Sequence, residues 1–158
     1  MSKNLTIVRT GLIGGLVGGI IIWIYEAVVW VGLQGMMPLR GIPRNATGLV
    51  FGQSMQAALG GSAYVIGIAI HFTFAGLWGV VFAYLWLRLR DRGVEATLLA
   101  LFYAAGLWII MHIAIIIASD NHPNYADPSI IIGGIMSHFF YAVPLGLIVK
   151  HRLAQLGR

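Results

Sequence analysis

The sequence predicts an all-α integral membrane protein, a four-helix bundle of spanning segments with both termini in the cytoplasm. Three observations carry that prediction. Hydrophobic residues make up 59% of the 158-residue chain and charged residues 9%, and the mean hydropathy is +0.86, a balance outside that of an average soluble domain. Four apolar segments, at about 11–35, 63–87, 95–118 and 129–149, are each long enough to cross a hydrocarbon core of about 30 Å, the fourth being the shortest. Eight of the ten Lys and Arg residues fall on one side of those segments: Lys3 and Arg9, Arg88, Arg90 and Arg92, and Lys150, Arg152 and Arg158. Only Arg40 and Arg44 lie opposite, so the positive-inside bias assigns the crowded side to the cytoplasm. One multi-pass domain, residues 1–158, accounts for the whole chain.

The first segment begins in a glycine-rich run whose apolar stretch exceeds that of a signal peptide and lacks a small-x-small cleavage site, so it reads as a retained anchor. Gly11, Gly15 and Gly19 recur every four residues, with Gly14 and Gly18 as a second pair, a spacing that lets helix backbones approach closely. Ala75, Gly79 and Ala83 in the second segment, and Gly133 with Ser137 and Ala142 with Gly146 in the fourth, repeat the device. Tight packing within the bundle is the expectation, ahead of a dedicated dimer face. The loop after the first segment holds a short helix at about 47–59, capped by Asn45 or Thr47, ended by Gly60 and Gly61, and lying along the membrane or as a lid. Pro144 is expected to bend the fourth segment.

Each segment also carries one ionisable group, and all four fall at similar depth. Glu26, His71, His112 and His138 lie roughly 9–14 Å below the outer boundary, counting about 1.5 Å per helical residue. Such groups turn inward and find partners. Glu26 shares a stripe with Gly15 and Gly19, His71 with Gly67, Ala75 and Trp78, His112 with Ala105 and Trp108, and His138 with Gly134 and Ala142. Three imidazoles and a carboxylate would suit a transition metal ion such as zinc, iron, copper or nickel, and two opposed histidines would suit a haem, serving electron transfer or metal handling. The alternatives are a proton-linked polar cluster and plain packing, in which each imidazole satisfies a neighbouring carbonyl or hydroxyl.

Around this level, Phe72, Trp78, Trp108, Phe139 and Tyr141 would line a pocket, and Tyr25 and Tyr141 would donate hydrogen bonds to the cluster. Met111 is expected on a different face from His112. His122, Asp120 and Asp127 belong to an outer turn, and His151 to a cytoplasmic "KHR".

A glutamate near the outer end of a glycine-rich first span, the "PLR" at 38–40, and His71, His112 and His138 inside later spans resemble the YagU-type small bacterial inner-membrane proteins. That resemblance implies a bacterial inner-membrane location and no particular chemistry.

Several classes are excluded or disfavoured. The chain has no cysteine, which removes disulfides, thiolate metal sites and cysteine nucleophiles. Its net charge of +5 is explained by topology, so the expected partners are the lipid bilayer and a larger membrane complex or a homo-oligomer, not nucleic acid. No Walker loop, dinucleotide fingerprint or nucleophile motif is present. The rival to a cofactor site is an accessory subunit of a respiratory or photosynthetic complex. A proton or ion conductor is disfavoured because the cytoplasmic halves of the spans lack matching ionisable residues.

Overall fold

The computed structural model of the chain describes residues 2–120 and 123–156. Six α-helices make up almost all of it, with no strand among the described residues: α1 (Lys3–Glu26), α2 (Gly41–Phe51), α3 (Gln53–Leu59), α4 (Ser62–Leu89), α5 (Ala96–Ala118) and α6 (Pro128–Leu153). α1 continues as a π-helix over Ala27–Leu33, and a 3-10 turn over Arg90–Arg92 follows α4. Four helices are long and apolar enough to cross a membrane: Lys3–Leu33, Ser62–Arg92, Ala96–Ile117 and Pro128–Leu153. The first begins eight residues earlier than the apolar run suggests, because Ser2 caps it by accepting a hydrogen bond from the Leu5 N–H at 3.3 Å. The third of these helices, not the fourth, is the shortest.

α1 lies between α4 and α6, and α5 packs on the far side of α6. The glycines of α1 explain this order. Gly11 and Gly15 meet α4, where a β-carbon on Gly11 would stand 2.5 Å from the Val80 Cα and one on Gly15 would strike the Ala75 carbonyl oxygen. Gly14 and Gly18 meet α6 instead, at Leu145 and Tyr141. The two four-residue series are therefore two faces of one helix, each admitting a different neighbour. Contacts such as Gly11 with Val80, Gly19 with Ala75, Gly18 with Tyr141, and Gly146 with Ala100 run in opposite senses along each pair, so neighbouring long helices are antiparallel.

The start of α1, the end of α6 and the Arg90–Arg92 turn consequently share one end of the molecule, the basic end. There Arg90 donates to the carbonyl oxygens of Leu153, at 2.8 Å, and Leu156, and Lys150 pairs with Glu95 at 2.7 Å. Glu95 also caps α5 by accepting from the Leu98 N–H at 2.8 Å. These bonds hold its carboxyl below the ordinary range, the Lys150 contact contributing most.

The tightest core occupies the basic-end half. Phe82, Ala83, Ala100, Ala104, Ala142, Leu145, Val149 and Leu153 are buried, while Leu12, Leu16, Ile20 and Ile24 on α1 and Phe102, Ile109 and Ile113 on α5 face outward as expected of lipid-facing surface. α6 runs unbroken through Pro144.

The opposite end is capped differently from the sequence expectation. The single helix at 47–59 is two helices, Gly41–Phe51 and Gln53–Leu59, broken at Gly52, whose φ of +87 ends one and precedes the next. Asn45 and Thr47 lie inside α2 and do not cap it. Thr47 donates its hydroxyl to the Ala63 carbonyl at 2.6 Å, and Gly67 leaves room for the Pro43 carbonyl, so α2 is seated on the start of α4. Ser119 donates to the Gly48 carbonyl at 3.0 Å, and the Asp120 carboxylate accepts from the Gln53 N–H at 2.8 Å, tying α2 and α3 to the end of α5. This is the lid end.

Candidate functional site

Toward the lid end, side chains from all four long helices and from α2 line a cavity of about 540 Å³. Its floor is set where side chains bridge the helices. Tyr141 on α6 donates to the Ala75 carbonyl at 2.8 Å, Tyr103 on α5 donates to the Trp78 carbonyl at 2.7 Å, and Phe82 packs on Tyr103 with ring centroids 5.2 Å apart. Both hydroxyls satisfy themselves on carbonyls of α4. Its roof is α2, through Ile42, Asn45, Ala46 and Leu49. Its walls are Trp23 and Trp30 from the first spanning helix, Phe74 and Trp78 from α4, Ile110 and Met111 from α5, and Ile130 from α6.

Glu26, His71, His112 and His138 all border this cavity, and all four are half-buried. The expected buried metal or haem site is nevertheless corrected. Among the described residues, no three histidine or carboxylate side chains come together closely enough to hold a metal ion. The rings are instead engaged by the backbone. His71 Nε2 donates to the Gly19 carbonyl across the α1–α4 contact at 3.0 Å, His112 Nδ1 to Trp108 at 2.7 Å, and His138 Nδ1 to Gly134 at 2.8 Å. His112 and His138 approach with centroids 6.4 Å apart, whereas His71 stacks on Trp23 at 5.0 Å. The four groups share the wall of one cavity, and among the described residues the rings bond to backbone carbonyls instead of converging on a common point. The plain expectation that imidazole satisfies a neighbouring carbonyl describes what they do, and neither a metal nor a haem role is retained.

Other expected residues divide in the same way. Trp78 and Tyr141 line the cavity; Phe72 packs on Trp23, Trp108 lies against the His112 ring at 4.5 Å, and Phe139 packs against the core. Tyr25 stacks on Phe140 at 4.9 Å, outside the cluster it was expected to serve. Met111 and His112, expected on different faces, both reach the cavity, because a wide space accepts neighbours roughly 100° apart. Asp127 caps α6 by accepting from the Ser129 N–H at 2.9 Å, with Pro128 in the first turn. Its carboxyl is held below the ordinary range by the Ser129 hydroxyl and N–H. His151 is exposed at the basic end, and His122 and Arg158 lie outside the described residues.

Two features escaped sequence reasoning. The π-helical turn after Glu26 widens the backbone repeat, with bonds such as the Gln34 N–H to the Val29 carbonyl at 2.9 Å, and places Trp30 against α6. Gly133 makes that contact possible: a β-carbon there would stand 2.8 Å from the Trp30 Nε1. The buried indole N–H groups of Trp30 and Trp78 have no hydrogen-bond partner among the described residues. The paired Gly133 and Gly134 were a usable signal, since Gly134 accommodates Trp108 as Gly133 does Trp30. Comparison of the chain with protein-family models, curated proteins and solved structures gave no significant match.

Proposed function

We propose that the protein is a membrane-spanning binding protein for an apolar small molecule, held in the lid-end cavity. The cavity itself carries this reading. At about 540 Å³ it falls within the range of small-molecule sites, it is walled chiefly by aromatic, methionine and aliphatic side chains, and α2 covers it. The packing elsewhere sharpens the point. A chain that brings backbones together at Gly11, Gly15 and Gly79 has the means to close its helices, and at the lid end it holds them apart with tryptophans. A smaller apolar groove of about 320 Å³ on the flank shares Trp23 and Ile42 with the cavity and supplies a lateral approach from lipid.

In this proposal the four long helices form one bundle in a bacterial inner membrane, as the YagU-type resemblance implies. The basic end and both termini face the cytoplasm, and the lid end faces outward. Because the chain has no cysteine, single-cysteine variants Gln155→Cys and Ser54→Cys test the orientation directly. In intact cells an impermeant maleimide should label position 54 and spare position 155; the reverse pattern would invert the topology.

Binding is tested with a neutral aryl fluorophore excited by energy transfer from the lining tryptophans, in lipid nanodiscs with empty discs as blank. Saturable one-to-one binding is expected for the wild type. Ala46→Phe, which fills the cavity from the roof, should weaken it by about tenfold, the equivalent of about 1.4 kcal/mol. Equal signals from both proteins and from empty discs would reject the reading.

A further inference from the structure

Resting on that binding reading, we infer that the molecule taken up in the cavity is a lipophilic cation, an ammonium-bearing amphiphile whose charge sits against Glu26. Glu26 is the last residue of α1 before the π-helical turn, within a spanning helix, and it borders the cavity. No Lys, Arg or Asp stands among the described residues that line the space. The ion pairs among the described residues, Arg90 with Asp91 and Lys150 with Glu95, both lie at the basic end, and no hydrogen bond joins Glu26 to another described side chain. A carboxylate at membrane depth ordinarily pairs with a group of its own protein. The other titratable groups that border the space are His71, His112 and His138, and each directs a ring N–H to a backbone carbonyl and not to Glu26, so the counter-charge is assigned to the occupant.

The walls suit the same ligand. Trp23, Trp30, Phe74, Trp78 and Tyr141 surround the space, and a cation over an aromatic face gains most when it is desolvated. A quaternary ammonium combines the two demands, because its methyl groups pack as apolar surface while its charge remains. The free indole N–H groups of Trp30 and Trp78 are neutral donors and do not set the sign of the ligand; Glu26 does.

The test uses a pair of probes that differ only in charge: 4-butylphenyl-trimethylammonium and its neutral isostere 1-butyl-4-tert-butylbenzene. Both are titrated by quenching of tryptophan fluorescence into the full chain in phosphatidylcholine nanodiscs, with empty-disc partition subtracted. The wild type should bind the cation about tenfold or more tightly than the isostere. Glu26→Gln should abolish that preference while leaving isostere binding within about twofold, and Glu26→Asp should restore part of it. Equal affinities in the wild type would overturn the cation inference and leave the binding reading standing. A cation preference that survives in Glu26→Gln would also overturn it. Saturable binding of neither probe would remove both. Should Glu26→Gln fail to fold, the wild-type ratio alone decides.

Discussion

The two halves of this molecule are built from the same four helices and use them in opposite ways. In the basic-end half, Gly11, Gly14, Gly15, Ala83, Ala100, Ala104, Ala142 and Gly146 let backbones approach until side chains from one helix rest on the backbone of the next. In the lid-end half, Trp23, Trp30, Phe74 and Trp78 line a cavity between the helices, and a separate helix roofs the space. Lipid tails are as apolar as leucine, so burial alone does not drive helices together in a bilayer, and dispersion at close range must do so. Small residues at contact positions therefore mark where the fold is held, and large aromatics farther along the same helices mark where it is kept open. Close packing and open space are separated along the length of the helices.

Altering the closed half should have the largest effect. Gly15→Ala places a β-carbon on the Ala75 carbonyl and should cost about 3 kcal/mol or prevent folding, whereas Gly106→Ala, with no neighbouring atom within 4 Å, should stay within about 0.5 kcal/mol. Unfolding in mixed micelles would compare them, and equal losses would break the distinction between held and open regions. The boundary between the halves comes next. Tyr141→Phe removes the buried bond to Ala75 and should cost about 1–2 kcal/mol, measured in the same way.

The roof should respond locally. Thr47→Val deletes the bond to the Ala63 carbonyl, and amide exchange over 41–51 should quicken about fivefold while the basic-end halves of α4 and α6 are unchanged. The smallest effect belongs to the Glu95–Lys150 pair. Glu95 has its carboxyl pKa lowered in the folded chain, so its contribution is present above the ordinary value of 4.5 and is lost as pH falls through the lower folded value. Because the pair is solvent-exposed, the loss should be under about 1 kcal/mol. Melting temperature measured between pH 6 and pH 3 should flatten slightly in Glu95→Gln.

What the sequence disclosed follows the range of the forces involved. Spans are legible because crossing a bilayer demands length and apolarity locally, and glycine stripes because backbone contact demands small residues at a fixed spacing. The two series at Gly11, Gly15 and Gly19 and at Gly14 and Gly18 even foretell two neighbours. The histidines were expected to converge as ligands and do not, since spacing places a residue along its helix while the partner its ring finds depends on local packing. A ring that reaches a carbonyl one turn back, as His112 reaches Trp108, leaves no trace in spacing that separates it from a ligand. The break at Gly52 was obscured because the stretch on both sides favours helix, and only the positive φ shows where it turns. Asp120 resembled an ordinary turn residue because its partner, the Gln53 N–H, is 67 residues away.

The most direct test of the central claim is native mass spectrometry of the full chain released from lipid nanodiscs, wild type beside Ala46→Phe. One small molecule retained per wild-type chain, and lost when the roof is filled, is the predicted result. A wild type that carries only the bulk lipids carried equally by Ala46→Phe would contradict the claim that the open half is a binding site.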